Sequence, residues 1–287
     1  MSSAELRSRF VNANGIPTHY SESGGNGPVV IGLHGGGAGS SGAAGMGPLM
    51  RHLPEGIRFI ALDSIGGFGK TDPGVPSPQG LQSRVDHLED FVEALCLDKF
   101  TILGNSQGAW CAARYALLHP ERIEKIILIG SATIAGAMGI TEPPTEGMKA
   151  LFGYDGSLDS MRKLLEALVY DKSKITDDLL KLRHAAAARP GAMDAFRAAS
   201  KANQLLQSDP LLRFQFAMHE SLPALTRSFP TLVIWGESDG FATPNLGKQV
   251  QPLLPAAEWR WIAKAGHQVQ TDQPEQTASI IEEFLRG

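Results

Sequence analysis

"TILGNSQGAW", residues 101–110, sets Ser106 between Gly104 and Gly108. Thr101, Ile102 and Leu103 before it suit a buried strand, and "AWCAARYALLHP" after it carries a helical pattern. Serine at the centre of G-x-S-x-G, on a tight strand-to-helix bend, is the arrangement that lifts a nucleophilic hydroxyl clear of the backbone. The glycines let neighbouring chain pass close by. Five residues with three fixed positions recur by chance, so the pentapeptide alone also reads as an ordinary turn. The strand before it and the helix after it give the motif its weight.

Working outward, "VVIGLH" (29–34), "RFIALD" (58–63), "FTILGN" (100–105), "KIILIG" (125–130) and "TLVIWG" (231–236) are short continuous apolar runs. Amphipathic stretches such as 85–97 and 109–118 separate most of them. Runs buried on both faces and alternating with helices predict an α/β fold, a mostly parallel central sheet flanked by helices. The opening stretch alternates weakly and is broken at Asn14-Gly15 and Gly24-Gly25, which suits an antiparallel pair. The regular spacing lapses between "KIILIG" and "TLVIWG". There Leu158, Met161, Leu165 and Leu168 repeat at helical spacing, and Thr176 before Asp177 and Asp178 reads as a capped helix start. The expected organisation is a core of residues 1–134 and 216–287 with a helical lid over 135–215.

The 287 residues are 43% hydrophobic and 20% charged, as in ordinary globular chains. With 26 basic and 30 acidic residues the net charge is −4, so neither a nucleic-acid partner nor an acidic tail is implied. Cys96 and Cys111 have no metal-like spacing, and no metal site or disulfide framework is expected. No apolar run approaches the roughly 20 residues of a membrane span, and "MSSAELRSRF" lacks the apolar centre of a signal peptide. The expectation is a reduced, cytoplasmic chain with no membrane partner.

A serine hydroxyl needs a base to take its proton and an acid to orient that base. Of the eight histidines, His267 in "IAKAGHQVQTDQPEQ" lies on a loop after a late strand-like run. His19 and His52 sit in hairpin or loop context, and His87, His119, His184 and His219 in helical stretches, where packing or surface roles suffice. Asp239, in the loop of "IWGESDGFATP", is the candidate acid; Asp63, at the end of "RFIALD", is the alternative. The chain order Ser, Asp, His favours Asp239. An oxyanion requires two fixed donors. The glycine-rich "LHGGGAGS" (33–40) and the backbone N–H of Gln107 can supply them. A competing reading takes "GAGSSG" (37–42) as G-x-G-x-x-G, with Asp63 about 20 residues on, for a dinucleotide. It would leave Ser106, Asp239 and His267 as coincidences.

Taken together, "LHGGGAG", "DSIGGFGKTD", "GNSQGAW", "YALLHPERIEKIILIGSA", "LVYDKSKITDDLLKLRHAAAARPG", "IWGESDGFATP" and "AGHQVQTDQPE" resemble the α/β-hydrolase superfamily over nearly the whole chain. Within it they are most similar to the meta-cleavage product hydrolases, which break a C–C bond in 2-hydroxy-6-oxo-hexa-2,4-dienoates during aromatic degradation. The resemblance implies Ser106 as nucleophile, His267 as base, Asp239 as orienting acid, and the Gly36 and Gln107 amides as the oxyanion hole. It implies Arg183 as the lid arginine at the dienoate end, with Asn105, Phe241 and Gln268 beside the substrate. Leu179 and Arg183 are four apart and share a helix face; Leu182 and Ala186 are expected to continue it and turn the guanidinium inward. Three positions depart from the family pattern. Gln107 stands where Met or Phe is common, Gln268 follows His267 where Trp is common, and "SSGAAGMG" lacks the usual asparagine. A carboxylesterase or lactonase using the same triad is the alternative enzyme, and a non-catalytic ligand-binding member the alternative class. The implied partner is a small-molecule substrate without cofactor; a homodimer or higher homo-oligomer is left open.

Overall fold

The computed structural model describes residues 6–287; "MSSAE", part of the stretch read above for a signal peptide and of the first core segment, lies outside the described residues. Eight strands form one sheet: β1 (Arg7–Ala13), β2 (Ile16–Glu22), β3 (Val29–Leu33), β4 (Arg58–Leu62), β5 (Phe100–Asn105), β6 (Ile123–Ile129), β7 (Thr231–Gly236) and β8 (Glu258–Ile262). Their order is β1-β2-β4-β3-β5-β6-β7-β8. β1 and β2 are the antiparallel hairpin expected around Asn14-Gly15, β2 also pairs antiparallel with β4, and the remaining pairs are parallel.

Alternate residues of the apolar runs feed two opposite layers. Ile31, Leu33, Ile102, Leu128 and Val233 face one cluster, which includes the helices Leu81–Ala94 and Gln107–Leu118. Val30, Leu103, Ile127, Ile129 and Ile234 face the other, with the helices Gly42–Met50 and Pro274–Arg286. Burial on both faces is why these strands read as unbroken hydrophobic runs. After β3 the chain goes first to β4 on one side and later to β5 on the other. The crevice beyond the carboxyl ends of β3 and β5 is therefore a topological switch point, where open α/β sheets place their ligands.

Between β6 and β7 lie seven α-helices, from Ala132–Ala137 to Ser221–Ser228, and one short single-turn helix, Lys172–Lys174. Several begin as their sequences dictate. Ser131, Thr145, Ser157 and Thr176 each accept the backbone N–H three residues on, satisfying a donor the helix cannot pair itself. Met161, Leu164, Leu165, Leu168 and Leu180 pack together with Ala38 and Phe241, so this segment sits over the carboxyl ends of the strands. Leu158, included in the apolar repeat read from sequence, is instead 47% exposed.

Candidate active site

Ser106 joins β5 to the helix Gln107–Leu118 at φ 59° and ψ −121°. A non-glycine residue in such a region costs about 1–3 kcal/mol and persists only where its surroundings hold it. Its N–H donates to Ile129 O at 3.0 Å, and its carbonyl accepts from the Ser131 hydroxyl at 2.7 Å. The flanking glycines are needed for close approach. A Cβ on Gly104 would lie 2.1 Å from Gly108 O, and one on Gly108 would lie 2.2 Å from Leu33 O.

His267, on the loop after β8, places Nδ1 2.9 Å from Asp239 Oδ2, on the loop after β7. Both residues are buried. The second oxygen, Asp239 Oδ1, accepts the backbone N–H groups of Phe241 and Ala242 at 2.7 and 2.8 Å. A carboxylate only accepts, so Nδ1 carries the imidazole proton and Nε2 is left as an acceptor. The Phe241 ring stacks on the imidazole, centroids 5.0 Å apart. Asn105 Nδ2 donates to His267 O at 3.1 Å and to Ile129 O at 3.2 Å, which ties the histidine loop to β5 and β6. Gln268 is buried, and its backbone N–H donates to Leu168 O.

On the β3 side, buried His34 donates from Nδ1 to Gly35 O at 2.7 Å and accepts Ser64 N–H at Nε2. Burial, helped by the neighbouring Arg84 charge, lowers its pKa to about 3, so it is a neutral brace for the glycine loop. A Cβ on Gly35 would lie 3.2 Å from Ser106 Cβ. Among the described residues, the N–H groups of Gly36 and Gln107 have no backbone acceptor. The Gln107 side-chain amide lies flat against Gly36, where a Cβ would fall 1.8 Å from Oε1.

Two buried guanidinium groups flank this loop. Arg183 Nη2 donates to Ala38 O and to Ser40 Oγ, both at 3.0 Å, while its Nε is buried without a partner among the described residues. Burial lowers its pKa to about 10. Arg84 donates to His34 O at 2.8 Å, to Ser64 Oγ at 3.2 Å and to Gln107 Oε1 at 3.3 Å. The last contact turns the Gln107 amide so that its NH₂ is the free donor.

Ser106, His267, Asp239, Gly36 and Gln107 thus converge at the carboxyl ends of the strands, with Phe241, Asn105 and Gln268 around the histidine. Arg183 is inward and Ala186 shares its buried side as expected, together with Leu180 and Ala187, with Leu179 half-buried against the same cluster; Leu182, expected on that face, is instead 38% exposed. Asp63, the alternative acid, does not reach His267. It accepts Gly42 N–H and binds His19, each at 2.7 Å. That also closes the helix start a dinucleotide would use, and a Cβ on Gly39 would lie 2.0 Å from Arg183 O. Sequence reasoning passed over Arg84, although it interrupts the apolar stripe Leu81, Val85 and Leu88 at helical spacing. It also passed over Asp272, whose buried carboxylate accepts the N–H groups of Gly266, Tyr170 and Asp171. A large open cleft of about 1210 Å³ lies at the opposite ends of the strands, lined by Arg7, Glu22, Arg58 and Arg286, away from this chemistry. Among the described residues no group of three or more His, Cys, Asp or Glu side chains could hold a metal ion.

The class follows from the fold: the family model described as alpha/beta hydrolase fold matches residues 28–162. The 2-hydroxy-6-oxo-2,4-heptadienoate hydrolase of Pseudomonas putida is 30% identical, over 96% of this chain and 95% of that protein. The 2-hydroxymuconate semialdehyde hydrolase of a Pseudomonas species is 31% identical, over 96% and 93%. The solved meta-cleavage product hydrolase of Pseudomonas fluorescens superposes with a TM-score of 0.79 at 30% identity, covering 97% of each chain. This chain belongs to the meta-cleavage product hydrolases of the α/β-hydrolase superfamily.

Proposed function

We propose that this protein hydrolyses the C5–C6 bond of a 2-hydroxy-6-oxo-hexa-2,4-dienoate, with Ser106 as nucleophile, His267 as base and Asp239 as the acid that orients it. The observation that carries the substrate class is Arg183. It is a fully buried cation with no acidic partner in hydrogen-bond reach among the described residues, set against the loop that runs past Ser106. A planar guanidinium pairs well with a carboxylate, which a dienoate carries and a simple ester lacks.

In the first step the substrate's 2-hydroxyl loses its proton and C5 gains one, giving the 2,6-dioxo form. Ser106 Oγ then bonds C6 while its proton passes to His267 Nε2, and the Gly36 and Gln107 amides receive the oxyanion. Cleavage of C5–C6 leaves the electron pair on the dienolate fragment, which is reprotonated, and water activated by His267 releases the acid from Ser106. The Asp239 carboxylate stabilises the imidazolium formed on the way. Residues 135–215 serve as the lid that carries Arg183 to this site. Gln107 and Gln268 favour a small or polar C6 substituent, because burying an amide against an aryl group without a partner costs about 1–3 kcal/mol. No helix among the described residues is long and apolar enough to cross a membrane.

The test is spectrophotometric turnover of ring-fission products with methyl, carboxylated and phenyl C6 groups beside p-nitrophenyl esters. Dienoates should be preferred, the phenyl substrate least among them, and Ser106→Ala should lower turnover by several orders of magnitude. Efficient ester hydrolysis with no dienoate turnover would establish the carboxylesterase alternative.

A further inference from the structure

Asp63 and His19 belong to a second hydrogen-bonded chain that the reaction at Ser106 does not use. Ser8 Oγ lies 2.7 Å from His19 Nε2, and His19 Nδ1 lies 2.7 Å from Asp63 Oδ2. Asp63 is held by the N–H of Gly42 on Oδ1 and of Lys70 on Oδ2, each at 2.7 Å. Its carboxylate cannot donate, so His19 carries its proton on Nδ1 and offers Nε2 as acceptor. Lys70 Nζ donates to Ser8 Oγ at 3.2 Å. The serine oxygen therefore accepts from the ammonium, and its own proton is free to lie toward His19. His19 and Asp63 are buried, while Ser8 stands exposed on the outermost strand β1. The Phe10 ring packs edge-on against the imidazole at 4.9 Å and limits its rotation.

We propose that Ser8 is a second activated serine that accepts an acyl group from activated esters, with His19 as its base and Asp63 orienting that base. Ser8 Oγ bonds the carbonyl carbon and its proton passes to His19 Nε2. The ester C–O bond then breaks, and the alcohol or phenol leaves with the proton from His19, so the acyl group stays on Ser8. The Lys70 ammonium supplies positive charge beside the developing oxyanion. The alternative role is a brace: the same bonds fasten the β1–β2 hairpin to the loop after β4.

The experiment uses the full chain with Ser106→Ala, so that this site does not consume the probe, p-nitrophenyl acetate. Arg7 and Arg9 flank Ser8, so modified peptides are mapped after chymotryptic rather than tryptic cleavage. The Ser106→Ala protein should release p-nitrophenol faster than the Ser106→Ala/Ser8→Ala double variant and carry acetyl on the peptide containing Ser8. His19→Gln in the same background should slow the Ser8-dependent reaction by roughly a hundredfold or more, the scale of general-base assistance. Equal release with and without Ser8, or acetyl found on Lys70 in place of Ser8, would overturn the proposal and leave the brace. Ser8 is exposed, so its alanine variant folds and decides the matter even if His19→Gln does not.

Discussion

Arg183→Met removes the guanidinium while keeping a long apolar stem in its place. Two separable losses follow. Arg183 bonds to Ala38 O and Ser40 Oγ at 3.0 Å each, so its removal frees the loop that carries Gly36. That loss is common to any substrate whose oxyanion the loop must hold. On the proposed function, the carboxylate contact is lost only by a dienoate. Hydrogen bonds to a charged partner are worth about 1.5–3 kcal/mol, roughly ten- to a hundredfold at about 1.4 kcal/mol per decade. The quantity to measure is therefore the ratio of kcat/KM on a 2-hydroxy-6-oxo-dienoate to kcat/KM on p-nitrophenyl acetate, which should fall ten- to a hundredfold. Arg183→Lys should restore little of it, because a point charge lacks the planar fork. Thermal unfolding is the companion measurement. A buried cation without an acidic partner among the described residues is costly to hold, so the methionine variant should melt no lower than the parent by more than a few degrees. An unchanged ratio, with both substrates slowed equally, would mean that Arg183 supports the loop and does not read the carboxylate.

Gly36→Ala puts a methyl where the Gln107 amide lies, 1.8 Å from its Oε1. It should lower kcat on all substrates, and Gln107→Ala in the same chain should recover part of the loss; no recovery would place the fault in the loop backbone itself. Burial depresses His34 from 6.5 to about 3 and His87 from 6.5 to about 4. Below about pH 6.5 the unfolded chain takes up protons that the native one refuses, so stability falls as the pH drops toward 4. Where both histidines contribute, the slope approaches about 2.7 kcal/mol per pH unit. Urea midpoints between pH 7.5 and 4.5 measure it, and a flat profile would contradict the buried neutral assignment.

What the amino-acid sequence determined by itself was whatever depends on neighbours along the chain. Apolar runs between amphipathic stretches specified a doubly covered sheet, and Gly104, Ser106 and Gly108 specified the bend, because backbone sterics and periodicity are local properties. Thr176 announced its helix for the same reason, since a cap acts within one turn. Asp239 could be preferred to Asp63 only by chain order. What separates them physically is the strand order: β7 and β8 adjoin and bring Asp239 to His267, whereas β2 lies beside β4 and brings His19 to Asp63. The acceptors that Arg183 finds on Ala38 and Ser40, the grip of Arg84 on Gln107 and the fastening of Gly266 by Asp272 were likewise decided by tertiary packing. Each is a buried polar group whose partners come from distant segments. Its role is set by which acceptors the fold delivers to it, and no spacing along the chain encodes that.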